Sequence, residues 1–224
     1  YPHPVIRHLF VDYILLWNLA DRTFLRNERI HIPYIIADPF VWSEKKHSKN
    51  LPYTSHKRES FSVSLFDVPP QSLSRKMKQG IHTTYYTYEN SRRFLSDILS
   101  VINVLEIELS SSIIVNLKHK RSNSHINDQR YYAYVDEARV VYKNLILSDP
   151  NSNIYDCIMT SSLSIVFPFS SVAYLSCEVG VSAIYYDCTA RLLPTYYHRQ
   201  SLHFCQDKAK LATLLRGLLL SSRK

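Results

Sequence analysis

The chain has 224 residues, 46% hydrophobic and 21% charged, with a formal net charge of +8. That is enough chain for one large domain or two small ones, in a composition ordinary for soluble globular proteins. Three glycines (Gly80, Gly180, Gly217) cannot build GxGxxG or a P-loop, the four cysteines form no CxxC or CxH pair, and no apolar run approaches the ~20 residues of a bilayer span.

Cys157, Cys177, Cys188 and Cys205 fall mostly in apolar elements, as free thiols do in a reducing cytosol. No signal peptide is visible, and the chain opens at Tyr1 without a methionine, as a partial or trimmed chain does. The positive charge favours phosphates, nucleic acid or anionic membrane surfaces. It is diffuse, with clusters at Lys45-Lys46-His47 and Lys118-His119-Lys120-Arg121. No RNA-recognition motif, zinc finger or helix-turn-helix pattern accompanies it, so nucleic acid is not the expected partner. The seventeen tyrosines read as compositional bias rather than as a functional signal.

Residues 1–42 hold two apolar runs, Val11 to Trp17 and His31 to Ile36, which read as short strands. Residues 43–60 are polar and charged and read as a linker. From Phe61 the pattern becomes a regular alternation of strand and helix. Strands are expected at 62–66, 113–117, 145–147, 163–167 and 182–186, with a short sixth at 202–205. Asp67-Val68-Pro69-Pro70 stops the first of these. A strong amphipathic helix spans about 91–108, with Phe94, Leu95, Ile98, Leu99, Ile102 and Leu105 on one face and Ser91 as its N-cap. Further helices are expected at 131–142, 153–159, 172–179 and 207–220. Such an alternation implies a Rossmann-like, doubly wound parallel sheet over 61–224, with a remnant of a second α/β domain at 1–42.

Ligands of such sheets bind at the C-terminal strand ends. Asp67, Lys118, His119, Arg121, Ser170, Ser171 and Asp187 all fall there in this reading. The turn Pro168-Phe169-Ser170-Ser171 follows a buried strand and opens a helix, offering hydroxyls and free N–H groups to an anion. A simple capping pair is the second reading of the two serines. Arg121 offers a bidentate fork to phosphate, whereas an exposed strand exit is the plainer reading of 118–121. Asp67 reads as a turn former or ligand contact, Asp187 as a carboxylate for sugar hydroxyls, and Glu178 as a solvent-facing or interdomain helix residue.

The runs VDYILLWN (11–18), IPYIIADPFVW (32–42), VSLFDVPP (63–70), NLKHKR (116–121) and FPFSSVAYLSCEVGVSAIYYD (167–187) follow one another in the order of a known architecture. They resemble the C-terminal, donor-binding half of GT-B-fold glycosyltransferases of bacterial surface-polysaccharide biosynthesis. The Ser170-Ser171 turn is also similar to the serine motif of bacterial sialyltransferases, although Lys118-His119-Lys120 stands in place of their His-Pro. The resemblance implies a nucleotide-sugar donor, CMP- or UDP-linked, held as substrate with no separate cofactor and no metal. It implies an inverting enzyme, because the Glu-x7-Glu pattern of retaining relatives is missing. The acceptor is expected to be a glycan or lipid-linked sugar, with the catalytic base on the other domain. Location is expected in the cytoplasm, with peripheral contact at the inner membrane. The alternative is a non-catalytic α/β nucleotide-binding or scaffold module, favoured by Cys188 and Ala190 where proline and glycine would be expected.

Overall fold

The computed structural model describes residues 13–16, 33–36, 60–74, 85–119, 126–168, 170–192 and 201–221. The chain divides into two compact units, Tyr1–Tyr53 with Leu193–Gln200, and Thr54–Leu192 with Ser201–Lys224. In the first unit, β1 (Ile14–Leu16) pairs in parallel with β2 (Tyr34–Ile36). Of the linker expected at 43–60, residues 43–59 lie outside the described residues, as do residues 17–32, and Ser60 already belongs to a strand.

The second unit is a six-stranded, wholly parallel sheet. Its strands are β3 (Ser60–Phe66), β4 (Ser112–Lys118), β5 (Leu145–Leu147), β6 (Leu163–Val166), β7 (Ala183–Tyr186) and β8 (Leu202–Cys205). Their spatial order is β5-β4-β3-β6-β7-β8. The chain winds outward from β3 to β5, returns to β6 beside β3, and winds outward the other way. This is the doubly wound, Rossmann-like order, and its topological switch point lies between β3 and β6. Among the described residues, the helices that connect and cover the sheet include α1 (Tyr88–Leu109), α2 (Gln129–Val141), α3 (Ile154–Met159), α4 (Val172–Glu178) and α5 (Lys208–Ser221). Among the described residues no helix is long and apolar enough to cross a membrane.

The period-2 alternation of β3 sends Phe61, Val63 and Leu65 into a core shared with Phe94, Ile98 and Ile102 of α1, Val135 of α2, and Leu211 and Leu215 of α5. The opposite face of the same strand carries Ser62 and Ser64. Ser64 is fully buried, and its hydroxyl donates to the Cys157 carbonyl at 2.8 Å beside the Ser161 hydroxyl. Likewise the Ser176 hydroxyl of α4 donates to the Val172 carbonyl at 2.9 Å and lies 3.0 Å from the Ser164 hydroxyl of β6. Small hydroxyl side chains let the short helices α3 and α4 lie close to the strands, and every buried hydroxyl named here has a partner.

One cap differs from expectation. α1 starts a turn earlier than its apolar stripe suggests, because Thr87 accepts a hydrogen bond from the Asn90 N–H at 3.2 Å. Ser91 is therefore not the N-cap. It lies inside the helix, buried, and its hydroxyl donates to the Val68 carbonyl. Gly180 follows α4 with φ of +82°, where a side chain would be strained.

Candidate functional site at the strand ends

The β3 strand ends at Phe66, and Asp67 is the first residue beyond it. The next stretch is fixed to the segment entering α2: Asp128 N–H donates to the Pro70 carbonyl at 2.8 Å, Ser72 N–H to the Ile126 carbonyl at 3.0 Å, and Gln71 bridges Asn127. The loops leaving β3 and β4 are thus joined at their bases. That junction brings α2 over the strand ends with two tyrosines in its first turns.

The result is a buried polar cluster. Asp67 Oδ2 meets His119 Nδ1 at 2.6 Å and accepts from the Tyr131 hydroxyl at 2.7 Å. The His119 ring stands edge-to-face with Tyr132, whose hydroxyl accepts from Asn127 Nδ2 at 2.7 Å. Asp67 is 3% exposed, His119 7% and Tyr131 0%. Burial pulls the His119 pKa down, but the charge and hydrogen bond of Asp67 outweigh it; Asp136 adds to the rise and Lys118 opposes it, and the net shift is upward from 6.5. Burial, then the Asp67 charge, pushes the Tyr131 phenol well above its usual value. Two buried atoms of this cluster, Asp67 Oδ1 and His119 Nε2, have no hydrogen-bond partner among the described residues, and the same is true of Gln71 Oε1 nearby in the chain. Buried polar atoms are rarely left so, and each asks for a water, an ion or a ligand.

Lys118, one residue earlier, is directed elsewhere. Its ammonium donates to the Asp149 carbonyl at 3.0 Å, the Pro150 carbonyl at 3.2 Å and Ser152 Oγ at 3.0 Å, tying β4 to the loop after β5. Arg121 lies outside the described residues.

Across the switch point, β6 delivers Phe167 and Pro168 to the turn. Phe167 is buried against Tyr85, Tyr86 and Phe94. Tyr86 donates to the Pro168 carbonyl at 2.9 Å and Tyr185 to the Ser170 carbonyl. Ser170 is half-buried, and Phe169 lies outside the described residues. Ser171 is exposed, has helical φ and ψ of −61° and −15°, and makes no side-chain cap hydrogen bond. A capping role for the Ser171 hydroxyl is therefore not what the local geometry uses.

Asp187 follows β7 and organises its own loop. Its Oδ1 accepts from the Tyr85 hydroxyl at 2.8 Å, Thr189 N–H at 3.0 Å and Thr189 Oγ1 at 2.6 Å, and its Oδ2 from Leu192 N–H at 2.9 Å. Burial would raise its pKa, but these donors, Thr189 foremost, hold it below the usual carboxylate value. Glu178 is exposed on α4.

Sequence reasoning missed the tyrosines. Tyr85, Tyr86, Tyr131, Tyr185 and Tyr186 all donate hydrogen bonds, four of them to groups at the strand ends, and Tyr186 reaches Asp97 at 2.8 Å. Each couples a large apolar ring to a hydroxyl that donates a hydrogen bond. The available signal was positional: tyrosines fall just before α1, at the start of α2 and at the end of β7.

A six-stranded, wholly parallel, doubly wound sheet flanked by helices defines the class: an α/β domain of the Rossmann-like kind. The sequence model of the polysaccharide biosynthesis PFTS motif proteins matches residues 2–215, and the chain belongs to that family. Pro168-Phe169-Ser170-Ser171 differs from the letters of that name by one hydroxyl residue for another. Among solved structures, the glycosylation associate protein (Gap123) complex from Streptococcus agalactiae is similar in fold, with a TM-score of 0.51 at 15% identity. The match covers 94% of this chain and 41% of that one, so this chain spans well under half the length of its structural neighbour. No curated protein matches the sequence.

Proposed function

We propose that this chain is the donor-binding half of a glycosyltransferase acting in polysaccharide biosynthesis, and that it holds a CMP- or UDP-linked sugar at the strand ends beside the switch point. Family membership supplies the polysaccharide context. The observation that carries the site is the pair of unpartnered buried atoms, Asp67 Oδ1 and His119 Nε2, at the strand ends beside that point. At the end of β6, the strand beside β3, the Ser170-Ser171 turn has an exposed hydroxyl that the protein does not use for capping.

In this reading the nucleotide phosphate lies between the turn and the loops after β3 and β4, and stabilisation of the leaving phosphate is electrostatic. The acceptor hydroxyl is the nucleophile. Its base comes from the remainder of a longer protein, the reaction inverts the anomeric carbon, and no metal takes part. Lys118 and Asp187 hold the loops rather than the donor, because their hydrogen-bonding groups already have partners within the protein.

A second reading is a non-catalytic scaffold. It is favoured by the structural neighbour, which is a glycosylation-associated complex. A thermal-shift series with CMP, UDP and GDP separates the two. Ligand at 100 times its dissociation constant stabilises by about 2.7 kcal/mol. A shift with CMP or UDP is expected; no shift with any nucleotide would favour the scaffold.

A further inference from the structure

His119 is held at one nitrogen only. Its Nδ1 is fixed at 2.6 Å to a carboxylate oxygen that also accepts the Tyr131 hydroxyl at 2.7 Å, while Nε2, on the opposite side of the ring, is buried and unpartnered. A carboxylate bound at Nδ1 selects the ring orientation and favours the imidazolium, whose second N–H is then a charged donor. Tyr131 shares Oδ2 with the histidine and so fixes the carboxylate rotamer, leaving Oδ1 as a lone acceptor. The cluster therefore asks for a ligand with one strong acceptor and one donor. A phosphate oxygen and a ribose hydroxyl offer that pair.

The groups facing the imidazole set its charge. Asp67 at the end of β3 and Asp136 on α2 favour the protonated ring, Lys118 on β4 opposes it, and Tyr131 and Tyr132 of α2 enclose it without charge. The sequence after β3 and β4 has the same bias toward anions: residues 71–84 and 120–127 include Arg75, Lys76, Lys78, Lys120 and Arg121 and no carboxylate.

We propose that Asp67 and Tyr131 are a positioning pair that holds the His119 imidazolium with Nε2–H offered to a phosphate oxygen of the nucleotide, so that nucleotide and proton bind together. The proposal rests on the nucleotide-binding reading given above. The proton comes from solvent and stays on His119 in the complex; no covalent bond changes.

The test is side-chain nitrogen NMR of His119 in the full chain, titrated between pH 5 and 9.5, alone and with CMP, UDP or inorganic pyrophosphate. In the free protein, Asp67→Asn should lower the His119 pKa. Tyr131→Phe should raise it, because the carboxylate loses a competing donor. A merely structural tyrosine would leave it unmoved. With CMP or UDP bound, the wild-type His119 pKa should climb by about one further unit, equivalent to about tenfold tighter binding to the protonated form. His119→Gln should remove that pH dependence from calorimetric titrations.

Nucleotide binding that leaves the His119 pKa and Nε2 resonance unmoved would overturn the proposal while the nucleotide reading stands. Pyrophosphate moving His119 with no nucleotide binding would support its role as a phosphate donor and overturn the nucleotide reading. A histidine moved by none of the three probes, with no nucleotide binding in calorimetry, overturns both. The wild-type titration decides even if a variant fails to fold.

Discussion

Replacing Asp67 with Asn is nearly isosteric; it removes the charge and exchanges one carboxylate oxygen for an NH2 donor. The Asn oxygen can still accept from both His119 Nδ1–H and the Tyr131 hydroxyl, which now meet at Oδ2. The missing contribution is the attraction between a buried carboxylate and a buried imidazolium. Breaking a buried pair outright costs about 3–5 kcal/mol, whereas a hydrogen bond to a charged group contributes about 1.5–3 kcal/mol. Because the acceptor survives, the lower range applies. The pH dependence follows from the direction of the His119 shift. Its pKa is raised on folding above 6.5, so the stabilisation is fully present below the unfolded value and is lost as pH rises through the folded one. Urea unfolding followed by circular dichroism should therefore show Asp67→Asn destabilised by about 1.5–3 kcal/mol at pH 6, with the gap narrowing as pH rises through the folded His119 pKa. A gap that is constant with pH, or wider at pH 9, would refute the assignment of a charged pair.

Other outcomes follow from the same geometry. Lys118→Met should remove three hydrogen bonds between β4 and the loop after β5, costing about 1.5–3 kcal/mol in urea unfolding with nucleotide affinity little changed. Reduced affinity at unchanged stability would return Lys118 to the ligand. Phe94→Ala empties a fully buried site between Phe167 and Tyr186, and calorimetry should show a loss of about 3–5 kcal/mol. Gly180→Ala meets no atom within 4 Å but must keep φ near +82°, so a loss of about 1–2 kcal/mol is expected from backbone strain alone; no loss would show that the turn relaxes.

Much of the architecture was legible because parallel strands buried on both faces carry continuous apolar or small residues. Leu163 to Val166 and Ala183 to Tyr186 lie where their composition puts them, and the prolines after Asp67 end β3 as expected. The serines of β3 were less readable. An alternating Phe61-Ser62-Val63-Ser64-Leu65 pattern looks like a strand with one wet face, yet Ser64 is fully buried, its hydroxyl donating to the Cys157 carbonyl in the last turn of α3. The start of α1 was misread for a related reason: Thr87 and Ser91 are both plausible caps, and only the packing of Ser91 against Val68 separates them.

At the strand ends, topology let the sequence name the residues that lie there but not their partners. Lys118 and Asp187 are a cation and a carboxylate at strand exits, and nothing local reveals that one clasps two carbonyls or that the other accepts four hydrogen bonds. The contact between Asp67 and His119 joins residues 52 positions apart, and Tyr131 reaches the same carboxylate only because α2 crosses over it. Such partners depend on how the loops after β3 and β4 are joined at Gln71 and Asn127, a long-range pairing with no periodic signal.

The measurement that bears most directly on the donor-site account is calorimetric titration of the full chain with CMP and UDP, comparing wild type with Ser171→Asp. The Ser171 side chain is exposed and makes no cap hydrogen bond, so a carboxylate there should leave the melting temperature close to wild type. Beside a bound phosphate it adds a like charge in place of a hydroxyl donor. The account expects wild type to bind one of the two nucleotides and the Asp variant to lose that binding with its fold intact. Undiminished nucleotide affinity in Ser171→Asp would contradict it.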